Sequence, residues 1–308
     1  AEKMSGQIHR AGALLACWLV LISAPLSWAG QLAGKHFEST DTWIESRAVK
    51  IPVTLVVPSD IKASPFPLVI LLHGHGGTRH EAGGYTRVAQ GIAKHGIASI
   101  RMDFPGCGDS LEGFENNNLA NMIADIQSSK AHALRALNID QSRLGLLGFS
   151  MGGRLALTLA TTETDYRAIG LWAPDAEAGE ANIREYLGGS DRYKQMRATA
   201  RAQGFAPFTT FWGQDQKLGY QWFTDMEASK PASSIHHYQG ALFVLYGDLD
   251  TIVRPEISRG VIQKAINARP AIEHQVTGAD HGLGLFNDDT VRSDEVIQST
   301  IHFFAEHL

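Results

Sequence analysis

Cysteine is almost absent from this chain, with two among 308 residues. Two thiols cannot build a disulfide framework, and they cannot fill a cysteine-based structural zinc site. Runs of one charge are missing as well. The net charge is -5 and no Lys/Arg-rich stretch occurs, so the sequence lacks the electrostatic footprint of a nucleic-acid binder. No segment recurs at the period of about 20–50 residues that marks solenoids and propellers. The main uncharged apolar run, Ala11–Leu26, is broken by Pro25 and falls short of the ~20 residues that a bilayer span needs. Apolar residues are plentiful, at 44% against 19% charged. That composition builds a large core and excludes a disordered chain.

The apolar run follows Lys3, His9 and Arg10 and precedes Ser27-Trp28-Ala29. A basic start, an apolar middle and a small-x-small end make the three-part pattern of a secretory signal peptide. Residues 1–29 are therefore expected to be a leader cleaved after about Ala29, leaving a periplasmic or secreted protein with no stable membrane insertion. A membrane anchor and a lipoprotein box at Leu14-Leu15-Ala16-Cys17 are the competing readings. The remaining 30–308 show no linker and read as one domain, whose only cysteine is Cys107.

Aliphatic strand candidates alternate with helical patterns along that domain. Val49–Val57 reads as an early, half-exposed strand. Pro67–His73, Ile97–Phe104, Arg143–Phe149, Ala168–Ala173 and Ala241–Gly247 are the continuously apolar runs expected of strands buried on both faces. Ala271–Val276 reads as a last strand. Between them, Leu119, Met122, Ile126, Ala133 and Leu137 share one helical face, as do Val296, Ile297, Ile301 and Phe304. Strands separated by helices predict βαβ crossovers, hence an α/β fold with a doubly wound, mostly parallel sheet. From about 175 to 240 strand candidates vanish and ten aromatic residues gather. That segment is expected to be a helical insertion serving as a lid with an apolar inner face.

Gly148-Phe149-Ser150-Met151-Gly152 matches G-x-S-x-G between a strand and a helix candidate. A serine on so sharp a turn carries its hydroxyl above the sheet edge. The hydroxyl needs a base, and the base needs an orienting carboxylate. Loops beyond later strands supply both. Asp250 in Gly247–Val253 is free to point back to the site, whereas Asp248 at the strand end reads as a turn cap. His281 in Ala279-Asp280-His281-Gly282 follows the last strand, while His274 lies within it. Backbone N–H groups of Met151 and His75 are the expected oxyanion donors, His75 lying in the glycine-rich His73–Gly77 loop. His73-x-His75 has no third ligand at suitable spacing, so no metal or cofactor is expected. Cys107 reads as a packed or surface residue.

The order Ser150, Asp250, His281, together with HGHGG at 73–77, DFPGCGDS at 103–110, RLGLLGFSMGG at 143–153, GDLDTIV at 247–253 and ADHG at 279–282, resembles the α/β-hydrolase superfamily. Within it the chain looks like the bacterial cinnamoyl/feruloyl esterase group. The resemblance implies an α/β-hydrolase fold with a lid insertion, and a serine carboxylic-ester hydrolase working through an acyl-enzyme. It also implies a small-molecule or polysaccharide-linked ester substrate with an aromatic or short acyl group. A serine peptidase or amidase, and a dienelactone-hydrolase-like enzyme, are the alternatives on the same fold.

Overall fold

Branched aliphatic residues dominate the strands at the centre of the sheet, and there they leave no face for water. In the computed structural model, which describes residues 36–308, every residue of β3 (Phe66–Leu72), β4 (Ala98–Met102) and β9 (Ala241–Gly247) is buried. The signal peptide read in residues 1–29 lies outside the described residues. Three further strands, β5 (Ile139–Phe149), β6 (Tyr166–Trp172) and β10 (Ala271–Val276), extend the parallel set. At the other edge β1 (Phe37–Ser46) and β2 (Val49–Pro58) form an antiparallel hairpin, and β2 pairs antiparallel to β4. The eight strands run in the order β1-β2-β4-β3-β5-β6-β9-β10.

Helices cover both faces. On one lie α1 (Gly84–Ala93) and α8 (Thr290–His307), on the other α2 (Leu119–Ala136), α3 (Met151–Thr162) and α7 (Pro255–Lys264). The apolar stripes read from the sequence meet the sheet: Leu119, Met122, Ile126 and Ala133 of α2 are buried, as are Val296, Ile297, Ile301 and Phe304 of α8. Two such layers of side chains constitute the core of a doubly wound sheet.

Three expectations need correction. Val49–Val57 is not half-exposed: Ile51–Val56 are all buried, because α1 packs on one face of β2 and α2 on the other. An additional strand, β1, precedes it. Its middle, Glu38–Asp41, is exposed and polar, so it carries no hydrophobic period. The 175–240 segment is not wholly helical. It holds α4 (Ala181–Tyr186), α5 (Ser190–Gln203) and α6 (Tyr220–Ala228), but also a hairpin of β7 (Phe205–Thr209) and β8 (Asp215–Gly219). Ala206, Phe208, Gln216 and Leu218 face inward on that hairpin. Five-residue strands with one polar inward position leave only a faint alternating signal.

Register then assembles the site. Leu72 at the end of β3 sits beside Gly148, Phe149 beside Trp172, Trp172 beside Leu245, and Gly247 beside Val276. The loops after β3, β5, β6, β9 and β10 therefore open at one edge of the sheet, where α/β folds bind their ligands.

Candidate active site

The turn from β5 into α3 is as tight as its sequence requires. Ser150 caps α3 with φ 53° and ψ -111°, a conformation costly for a residue with a side chain. Hydrogen bonds over-determine it. Ser150 N–H donates to the Trp172 carbonyl at 2.9 Å, and its own carbonyl accepts from Gly153, Arg154 and Asp175. Glycine is obligatory on either side. A Cβ on Gly152 would collide with the Leu72 carbonyl, and one on Gly148 would lie 2.7 Å from the Gly153 nitrogen.

Ser150 Oγ is 3.0 Å from His281 Nε2, and His281 Nδ1 is 2.6 Å from Asp250 Oδ2. An ionised carboxylate only accepts, so Nδ1 carries the proton and Nε2 is left to accept from the serine hydroxyl. Asp250 is buried, and its Oδ1 accepts from the backbone N–H groups of Ile252 and Val253, each at 2.9 Å. The neighbouring carboxylate does different work. Asp248 Oδ1 accepts from Gly278 N–H at 2.6 Å, and Leu249 N–H reaches the Ala279 carbonyl at 2.9 Å. These two bonds tie the loop carrying Asp250 to the loop carrying His281. Behind the imidazole lies the Phe149 ring, with centroids 5.1 Å apart.

The loop after β3 faces this group. Neither His75 nor Met151 donates its backbone N–H to any protein group among the described residues. Both residues line a cavity of about 800 Å³ that also contains Ser150 and His281. The loop is braced from several directions. His73 Nδ1 donates to the Gly74 carbonyl at 2.8 Å, and its Nε2 accepts from Phe104 N–H at 3.0 Å. The His75 ring turns toward the 175–240 segment, where Nε2 donates to Gln216 Oε1 at 2.7 Å. Burial pushes both imidazoles down to about 4, so both are neutral, as the bond accepted by His73 Nε2 requires. The two rings thus have separate partners. No cluster of three metal-ligating side chains occurs among the described residues. Cys107 is buried with Asn117 Nδ2 near its sulfur, and burial pushes its thiol far up; it has no histidine partner among the described residues.

The 175–240 segment roofs the cavity with Ile183, Tyr186, Phe211, Trp212 and Trp222. The His75 ring meets Tyr186 and Trp222 at centroid separations of 6.1 and 5.9 Å. Phe211 and Trp212, at the hairpin tip, are 75% and 47% exposed and leave an aromatic rim at the entrance. Five contributors had no sequence signal. Gln216 and Glu81 brace the His73–Gly77 loop, and at the cavity wall Asp175 is held by the buried Arg154 behind it and the half-buried Asn182 beside it. Each depends on long-range packing that no local pattern encodes.

Residues 69–296 match the alpha/beta hydrolase family. Among solved structures, Est1E from Butyrivibrio proteoclasticus with ferulic acid bound superposes with a TM-score of 0.70 at 20% identity, covering 86% of this chain and 98% of that one. The esterase domain of a Rhodothermus marinus protein gives 0.60 at 17% identity, over 87% and 99% of the two chains. A monoacylglycerol lipase of Paleococcus ferrophilus gives 0.61 at 15%, over 88% and 99%. At such identities the likeness is one of fold. A stretch of 141 residues is 26% identical to the non-reducing polyketide synthase ascC of Acremonium egyptiacum, covering 42% of this chain but only 6% of that much longer protein. No helix among the described residues is long and apolar enough to cross a membrane.

Proposed function

The chain belongs to the alpha/beta hydrolase family, and from that membership we propose that it is a serine carboxylic-ester hydrolase acting through an acyl-enzyme. The reading rests on one observation: an imidazole that reaches the Ser150 hydroxyl at 3.0 Å and a buried carboxylate at 2.6 Å. Ser150 Oγ attacks the ester carbonyl while His281 Nε2 takes its proton, and Asp250 holds the tautomer and balances the imidazolium. The carbonyl oxygen gains negative charge and receives the free N–H groups of His75 and Met151. His281 then returns the proton to the departing alcohol, and water frees the acyl group by the same steps. An oxyanion donor contributes roughly 3 kcal/mol and general acid–base transfer about 10²–10⁴ in rate.

The aromatic roof over the cavity supports an aromatic acyl group of the feruloyl or cinnamoyl type, with short acyl chains as smaller occupants of the same space. The 175–240 segment acts as a lid in this reading, and the leader read in residues 1–29 supports an exported enzyme. A rate panel of methyl ferulate, p-nitrophenyl acetate, p-nitrophenyl butyrate and an aminoacyl amide tests the reading. The esters are expected to turn over, methyl ferulate included, and the amide is expected to be inert. Amide turnover faster than every ester would replace the esterase reading with a peptidase one, and untouched ferulate beside rapid acetate turnover would remove the aromatic acyl group.

A further inference from the structure

One carboxyl group beside the oxyanion loop takes no part in the chemistry above. Glu81 lies between β3 and α1, is 1% exposed, lines the catalytic cavity, and accepts the Gly74 N–H on Oε2 at 2.7 Å. Its backbone is strained: Glu81, Ala82 and Gly83 hold φ of 43°, 52° and 87° in succession. Strain at a residue with a side chain persists where its surroundings enforce it, and such positions cluster at functional sites. The Gly74 N–H is the brace that starts the His73–Gly77 turn, closed by Gly77 N–H on the Gly74 carbonyl at 3.0 Å.

Among the described residues no positive charge compensates this carboxyl. His73 and His75, on its own loop, are neutral. Tyr85 of α1 donates its hydroxyl to the Leu72 carbonyl, and Cys107, in the loop after β4, is buried. Arg79, two residues earlier, is committed to Asp103 and Asp109. Across the cavity the titratable groups are Asp175, Tyr186, Asp280 and His281. Asp175 is paired with Arg154, and His281 with Asp250.

We propose that Glu81 is a positioning residue for ester cleavage: as a neutral acid it holds the oxyanion loop through Gly74, and its ionisation sets a negative charge beside the developing oxyanion. This rests on the esterase reading. Burial pushes the Glu81 carboxyl up to about 8, so the acid is neutral at pH 7 and charges just above it. The carbonyl oxygen of the neutral acid suffices for the Gly74 bond. A new like charge on this buried carboxyl opposes the transition state more than the bound ester, so the effect falls on kcat rather than KM.

Glu81→Gln keeps an acceptor for Gly74 and removes the titration, while Glu81→Leu removes both. Profiles of kcat and KM from about pH 6 to about pH 9.5 separate them. The parent kcat is expected to fall about tenfold through a transition near pH 8 at nearly constant KM. The Gln variant should keep the plateau rate and lose that transition, and the Leu variant should be slow throughout. An unchanged alkaline transition in the Gln variant would overturn the proposal. Thermal unfolding against pH gives a second reading that needs no substrate. A carboxyl raised from 4.5 to about 8 on folding favours the protonated native state, so the parent should lose stability relative to Glu81→Gln as pH rises across that interval and run parallel above it. Parallel curves throughout would likewise overturn it. A parent inert to every ester of the panel would remove the esterase reading, and this role with it; an active parent sharing its pH transition with the Gln variant would remove this role alone.

Discussion

Ser150→Ala is expected to lower kcat on any ester substrate by about 10⁴-fold or more while leaving the fold and thermal stability essentially intact. The hydroxyl is the only group lost, and its one side-chain bond is to His281 Nε2. The backbone bonds that hold the turn, from Ser150 N–H to Trp172 and from the Ser150 carbonyl to Gly153, Arg154 and Asp175, all remain. Alanine meets the same strain as serine at φ 53°, so stability is neutral to the change. Residual turnover from the oxyanion loop and binding alone should survive well above background. Steady-state rates beside a melting curve check both halves. A variant that keeps a tenth or more of the parent activity would mean that some other group attacks the ester.

The second large effect is electronic and depends on two hydrogen bonds. Asp250→Asn is expected to lower kcat by about 10⁴-fold with KM little changed. The buried Oδ1 accepts two backbone N–H groups, from Ile252 and Val253. An asparagine must put its carbonyl oxygen there, because an NH₂ facing two donors would leave all of them unsatisfied. Its NH₂ then faces His281 Nδ1 and makes that nitrogen an acceptor. The ring proton moves to Nε2, where it confronts Ser150 Oγ and can no longer take the hydroxyl proton. Asp248→Asn is the control. Its bond to Gly278 N–H needs only an acceptor, which the amide oxygen supplies, so kcat should fall by less than about tenfold. Equal losses in the two variants would mean that the carboxylates act through loop architecture rather than through the imidazole tautomer.

The contrast between these two aspartates also shows what could be read from the chain and why. Strand ends, a glycine-flanked serine and a histidine loop are local signals. Each rests on constraints within about ten residues, such as the close approach of the Gly153 nitrogen that forbids a side chain at Gly148, or the unbroken apolar run of β9. Chain order then supplied the pairing of Ser150, Asp250 and His281, and the sheet register brings their loops to one edge. Asp248, at its strand end, has the sequence signature of a cap for its own turn, yet it binds Gly278, 30 residues away. That partner is fixed only when β9 and β10 lie side by side.

The same limit explains the hairpin of β7 and β8. Gln216 is polar yet faces inward, because it meets the His75 ring 141 residues earlier in the chain. A reading by apolar alternation counts such a residue against a strand. Strand β1 fails for the opposite reason: it is an edge strand with an exposed middle, and its place is decided by the backbone ladder to β2 rather than by burial. Glu81 left no mark either. A lone acid ahead of a helix reads as solvated surface, and only the packing of α1 and the β4 loop around it makes it a buried acid.

Ser150 is the group that becomes acylated in the proposed mechanism, and covalent capture tests this most directly. The parent protein is treated with a fluorophosphonate, digested, and the peptides are mapped by mass. The adduct is expected on Ser150 alone, forming quickly in the parent and vanishing in Asp250→Asn on the same timescale. An adduct on another serine, or equally rapid capture at Ser150 without the Asp250 carboxylate, would contradict the proposed triad.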